Sequence, residues 1–206
     1  MSEEKKVVVT PVEHGGPPRR SRNFEERLMV RFPSLYRRLS ALVFGLSSRS
    51  RLRRAFLRRA VVSGWAAFAR PDFEPMLVRF APDVEVEFQP GLQTLDFAGT
   101  YHGHAGLVEG LSKLSEVLDA WKAEPAYILD LGNRFLCLVV IRARARASGV
   151  PLEQTVGQLL TVRDSLVTRE QSFFSWEEGM RAAGLDPDAI TLPSREKAAQ
   201  TAGSAG

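Results

Sequence analysis

"TYHGHAGL", residues 100–107, is where the chain changes from one hydrophobic period to another, and its reading decides the fold. Upstream, Val84, Val86 and Phe88 alternate with Asp83, Glu85 and Glu87, the period of two that marks a strand with one buried face. "QPGLQ" at 89–93 breaks that strand, and a second short one is expected over about 95–101. Downstream, Leu107, Leu111, Leu114, Leu118 and Trp121 recur at helical spacing and predict one long amphipathic helix. The stretch thus reads as a strand-to-helix junction in which Tyr101 ends the strand, Gly103 permits the turn and His104 opens the helix. Its His-x-His spacing also has a chemical reading. No nearby His or Cys offers the third ligand a zinc or iron site needs, and Asp96 or Glu109 would require unusual geometry. No metal is expected. Either histidine, or Tyr101, is a candidate acid or base at the mouth of a pocket.

Working outward, "AYILDL" (126–131) and "RFLCLVVIRARARA" (134–147) flank Gly132-Asn133, a two-residue hairpin signal. "SGVP" separates the latter from "LEQTVGQLLTVR" (152–163), and Asp164-Ser165 turns into "LVTREQSFF" (166–174). A last helix, "SWEEGMRAAGL", opens on Ser175 with Glu178 at capping-box spacing. On the N-terminal side, Leu35, Leu39, Leu42, Val43 and Leu46 follow Pro33 as a helical stripe. Leu57, Val61, Gly64, Trp65 and Phe68 repeat its offsets, and Ser47, Ser48 and Ser50 offer cap oxygens between the two. Pro71 should end the second helix, and Asp72 should cap a short third one carrying Phe73, Met76, Leu77 and Phe80. Helices first, then a helix inserted among antiparallel strands, means an α+β fold: five or six strands curved into a half-barrel over one long helix.

The chain has 206 residues, of which 44% are apolar, enough for a core. No apolar run approaches the roughly 20 residues of a membrane span, and "MSEEKKVVV" lacks the features of a secretory leader. The single cysteine, Cys137, excludes an internal disulfide or a cysteine-based zinc cluster. A cytoplasmic protein is expected. The net charge of +4 is unevenly spread: residues 19–59 hold 13 arginines against Glu25 and Glu26, whereas residues 60–206 hold 13 basic and 19 acidic side chains. Such asymmetry suits contact of the basic segment with an anionic surface. The expected organisation is a disordered tail over 1–31, a basic amphipathic helical extension over 32–50, a domain over 51–185 and a flexible tail over 186–206.

The order and spacing of these elements, with the phrases "GWAAFARPDFEPMLVRFAPDVEVE", "YHGHAGLVEGL", "LDLGNRFLCLVVIRARARASG" and "EQTVGQLLTVRDSLVTREQSFFSWEEGMRAAGL", resemble the SnoaL-like group of the nuclear transport factor 2-like superfamily. The likeness spans about residues 51–185, and 32–50 is similar to an extension that some members carry. It implies a cone-shaped fold in which a curved antiparallel or mixed sheet wraps the long helix, leaves a pocket at its open end, and dimerises through its outer face. The superfamily includes ketosteroid isomerases, polyketide cyclases, dehydratases and epoxide hydrolases, as well as noncatalytic binding and assembly modules, so the pocket residues must decide function.

Laying the first strand on that of the ketosteroid isomerases puts Phe88 at the base position, Gly64 or Trp65 near the tyrosine, and Gln158 near the second aspartate. None of the three groups is retained, so steroid isomerisation by that mechanism is not expected. Trp65, Phe68, Phe80, Phe88, Phe97, Tyr101 and Phe173 are candidates to line an apolar pocket, though aromatics at these spacings also serve as plain core. Gln158 shares a face with Val156, Leu160 and Val162, and is either a core amide or a ligand contact. Glu85 and Glu87 should face outward. Arg142, Arg144 and Arg146 should form an ion-pair ladder with partners such as Glu153 and Glu170, and Cys137 reads as a small buried hydrophobe.

Three functions follow: binding of a small apolar molecule in the cone; a cofactor-independent cyclase, isomerase or dehydratase using Tyr101, a histidine or Gln158; and a dimeric assembly or membrane-adaptor module. The basic helices of residues 34–59 are expected to dock on the domain and close the cone, with peripheral membrane contact as the alternative. Nucleic acid is not an expected partner, because no docking unit or stacking set is visible.

Overall fold

The computed structural model describes residues 7–12, 21–68, 70, 72–88, 98–146 and 148–193. Seven strands form one open mixed sheet in the order β1-β4-β5-β6-β7-β2-β3. They are β1 (Val8–Pro11), β2 (Phe80–Phe88), β3 (Gly99–His102), β4 (Leu118–Asp130), β5 (Arg134–Ala145), β6 (Pro151–Arg163) and β7 (Leu166–Phe173). Neighbours run antiparallel except β2 and β7, which pair in parallel. The helices are α1 (Phe24–Arg31), α2 (Pro33–Phe44), α3 (Arg51–Phe68), α4 (Glu74–Leu77), α5 (Gly103–Val117) and α6 (Trp176–Ala182).

The "HGH" stretch is the junction its periodicity implies. β3 ends at His102, and α5 begins at Gly103, whose φ of 68° lies in the left-handed region that favours glycine. A side chain there would also meet the Pro82 carbonyl at 2.9 Å. The hairpin at Gly132-Asn133 likewise joins β4 to β5.

Alternation along the strands sorts two apolar layers. Ile128, Cys137, Val139, Leu160 and Val162 face inward with Val84, Val86 and Phe88, against Leu107 and Leu111 of α5. Tyr127, Leu129, Leu136, Leu138 and Leu159 face outward, where Met180 of α6 and Ala183 at its C-terminal cap cover them. Gly157 and Gly179 make that contact close, for a β-carbon on either would lie 2.9 Å from the other's Cα. The segment after α6 extends the cover, and the Tyr127 hydroxyl donates to the Pro193 carbonyl at 2.6 Å.

Several boundaries differ from the sequence reading. The stretch 1–31 contains β1, on the sheet edge where Pro11 is tolerated, and α1, opened by an Asn23–Glu26 capping box. The long helix stops at Val117, and Trp121 belongs to β4. Asp72 does not cap α4; it accepts two hydrogen bonds from Arg22, both at 2.7 Å. That pairing holds its carboxyl below the usual range.

The largest correction concerns the leucine stripe. Leu35, Leu39, Leu42 and Leu46 do not pack on the domain but are exposed. α2 turns its aromatic side inward instead, with Tyr36 and Phe44 against Phe56 of α3. Arg53 locks this arrangement: its guanidinium donates to both Asp130 oxygens at 2.7 and 2.8 Å and to the Phe44 and Leu46 carbonyls at 2.6 and 3.1 Å. It is therefore α3, through Val61, Gly64 and Trp65, that closes the cone.

Candidate ligand cavity

Between α3, α4, α5 and the inner face of the sheet lies a cavity of about 140 Å³. An engineered apolar cavity of roughly 150 Å³ in another protein admits benzene, so this one has room for a single small ring. Its wall is mostly apolar, with Trp65 and Val61 from α3, Met76 from α4, and Leu107, Leu111 and Leu114 from α5.

The sheet supplies the polar groups, and strand register places them in two rows. Cys137, Gln158, Ser172 and Phe88 lie side by side across β5, β6, β7 and β2. Phe135, Leu160, Glu170 and Val86 form the adjoining row. Gln158 and Glu170 are thus diagonal neighbours on one face, and the Gln158 amide Nε2 donates to Glu170 Oε1 at 2.5 Å. Glu170 is 3% exposed. Burial in this apolar wall raises its carboxyl to about 7, while the hydrogen bond from Gln158 opposes that rise by favouring the charged form. Arg79 also reaches the wall, but its guanidinium is engaged by the Tyr36 hydroxyl, the Ala60 carbonyl and the Ser63 hydroxyl at 3.1, 2.8 and 2.8 Å. Burial pushes the Cys137 thiol upward and keeps it protonated and unreactive.

Of the residues singled out from the sequence, Trp65, Phe80, Phe88 and Gln158 line the cavity. Tyr101 does not. It lies behind Phe88, ring edge to face at 5.8 Å, with Lys113 Nζ 5.3 Å from its centroid. Phe173 is also not in the wall, whereas Phe174 is. A β-bulge is the cause: Val162 pairs with Val167 but Thr161 with Arg169, so Thr168 is the extra residue and the strand's faces exchange beyond it. The same bulge turns Glu170 inward. It is consequently not a partner of the arginine ladder, where Arg142 pairs instead with Glu124 and Glu153 at 2.6 and 2.7 Å. His102 is exposed on β3, and His104 Nε2 is bonded to the Phe80 carbonyl oxygen at 3.0 Å; neither lines the cavity. Phe97 and the Phe68 side chain lie outside the described residues. Glu85 and Glu87 face away from the cavity and pair with Arg169 at 3.0 and 3.1 Å. Among the described residues, no group of three or more His, Cys, Asp or Glu side chains could hold a metal ion.

No protein-family model matches the chain. Uncharacterised proteins of Mycobacterium tuberculosis and Mycobacterium bovis are 32% identical to it over 111 residues, 54% of this chain and 82% of theirs. Among solved structures, TerC co-crystallised with polyporic acid is 26% identical with a TM-score of 0.51, covering 57% of this chain and 89% of its own. A nuclear transport factor 2-like protein of Burkholderia xenovorans LB400 is 28% identical with a TM-score of 0.50, covering 60% and 92%. Another, of unknown function, from Burkholderia pseudomallei K96243 is 21% identical with a TM-score of 0.52, covering 60% and 93%.

Proposed function

This chain belongs to the nuclear transport factor 2-like superfamily, and from that premise we propose that its cone binds one small, mainly apolar molecule whose single polar group meets Gln158 and Glu170. The observation that carries this reading is the makeup of the wall: mostly aromatic and aliphatic side chains, with the half-buried Gln158 amide bonded to the buried Glu170 carboxyl set among them. TerC, a similar chain, was co-crystallised with polyporic acid.

Phenol and benzene are the probes that test it, since both match the cavity and differ by one hydroxyl. Both should raise the melting temperature of the full chain. Phenol should do so more strongly, and Gln158→Leu should erase its advantage while leaving the benzene effect in place. If neither probe shifts the melt or the tryptophan fluorescence at concentrations approaching saturation in water, the cavity is packing space and the reading fails.

One observation favours a second, catalytic reading. A carboxyl raised to about 7 is poised to exchange a proton near neutrality. Glu170 as the carboxylate would take a proton from carbon next to a bound carbonyl, becoming the neutral acid, and return it to another carbon in an isomerisation or to the β-hydroxyl that leaves as water in a dehydration. Gln158 carries two amide N–H groups, of which Glu170 takes one, leaving the other to face the developing oxyanion. Isomerisation and dehydration of small enolisable compounds are the reactions this pair would serve without a cofactor.

A further inference from the structure

The molecule gathers its exposed apolar side chains into one segment. Of the ten large hydrophobic residues exposed among the described residues, eight lie between residues 24 and 52, and Phe24 and Leu42 are 80% and 71% exposed. Their spacing is regular. Leu35, Leu39 and Leu42 follow one side of α2, and Leu46 continues their line beyond its end. Phe24, Leu28 and Phe32 repeat the spacing of four along α1. Neither stripe is a face waiting for the domain, because each helix already turns another side inward: Met29 and Glu26 from α1, Tyr36, Ser40 and Phe44 from α2.

Charge surrounds the stripes. Arg27, Arg31, Arg37, Arg38, Arg49 and Arg51 are all exposed. The two acidic residues of the segment are already committed, Glu26 to Arg70 at 3.0 Å within the fold and Glu25 to Arg59. Leucines and phenylalanines flanked by long cationic side chains match the chemistry of the boundary between acyl chains and phosphate headgroups.

We propose that α1 and α2 are a docking surface for an anionic lipid bilayer, on which the helices lie flat with the leucine stripe among the acyl chains and the arginines at the phosphates. Charge complementarity selects this occupant, and shape agrees with it: a fluid surface accommodates a convex stripe, whereas a folded partner would need a groove cut to receive it. No described helix is long and apolar enough to cross a membrane, so the contact is peripheral.

The test is co-sedimentation of the full chain with vesicles of phosphatidylcholine alone and of phosphatidylcholine mixed with phosphatidylglycerol. Binding should be strong on the anionic vesicles, weak on the neutral ones, and reduced but not abolished by salt. The double variant Leu39→Ser, Leu42→Ser should lose on the order of tenfold in partitioning. Both side chains are exposed, so its melting curve should match the wild type. Arg37→Glu with Arg38→Glu should lose binding selectively on anionic vesicles. Three results would overturn the proposal. One is no binding to anionic vesicles at low salt. Another is binding undiminished in the leucine variant, which would mean charge adsorption alone. The third is a wild-type oligomer that the leucine variant dissolves without any vesicle binding, which would make a second copy the occupant.

Discussion

Glu170 reaches the cavity because one extra residue, Thr168, sits in the ladder, and its chemistry follows from that position. Burial is the dominant influence: the charged form must shed water into a wall of phenylalanine, valine and leucine with one amide N–H as compensation. Stability should therefore depend on pH in a defined direction. The carboxyl titrates at about 7 in the fold against its ordinary 4.5, so below 4.5 it is protonated in both states and its contribution is fully present. As pH rises from 4.5 through 7 the unfolded chain releases the proton while the fold retains it, and stability falls by about 3 kcal/mol before levelling off. Urea unfolding of the wild type and of Glu170→Gln across that interval should show the decline in the first and not in the second. Equal differences between the two proteins at pH 4.5 and pH 8 would mean that the Glu170 carboxyl is not raised in the fold, and the catalytic reading would lose its support.

At the scale of elements, the middle of β6 and the middle of α6 meet backbone to backbone. A methyl group on Gly157 would stand 2.9 Å from Gly179 Cα and 3.1 Å from the Ser175 carbonyl oxygen. Both are backbone atoms that cannot rotate aside, so α6 itself must lift. Gly157→Ala should cost about 1–3 kcal/mol, lower the melting temperature by about 3–10 °C and change the near-ultraviolet signal of Trp176, whose Nε1 donates to the Val139 carbonyl at 2.9 Å. An unchanged melt would show that α6 is only loosely held. This contact also marks how far the sequence could be read. Strands with strict alternation, the Gly132-Asn133 hairpin, the Ser175 cap and the junction at Gly103 were legible, because each depends on a few adjacent residues. The Asn23–Glu26 box was missed although Asn-x-x-Glu is a helix-opening signal, because the polar surroundings of α1 make 1–31 read as a tail. The bulge at Thr168 was not, for nothing in "LVTREQ" distinguishes a bulged register from a regular one; half of the cavity's polar pair was hidden with it. The face of α2 was ambiguous for a different reason. That helix is apolar on two sides, and only the position of Phe56 shows that the aromatic side wins the interior.

For the whole molecule, the question is whether the basic extension is an attachment or a part of the body. Its contacts argue for a part. Arg53, 4% exposed, uses the carbonyls of Phe44 and Leu46 to complete its coordination of Asp130 on the sheet. Tyr36 holds Arg79 at the cavity wall, Glu26 pairs with Arg70, and Arg22 bridges Asp72 and Glu74. Removing residues 1–50 would leave these partners in place with their polar atoms uncovered, and Phe56 without the rings of Tyr36 and Phe44. A chain beginning at Arg51 should therefore lose about 3 kcal/mol and melt about 10 °C below the full chain, and the full chain should unfold in a single transition. The shortened chain should also lose the stabilisation by phenol, because Arg79 of the wall donates to the hydroxyl of Tyr36 on α2, which the truncation removes. Two separate transitions, with the body keeping its own melting temperature after truncation, would instead place a true domain boundary at residue 50. A single transition ties the exposed leucine stripe and the cavity to one folding unit, so that a contact made by α2 would bear directly, through Tyr36 and Arg79, on the cavity wall.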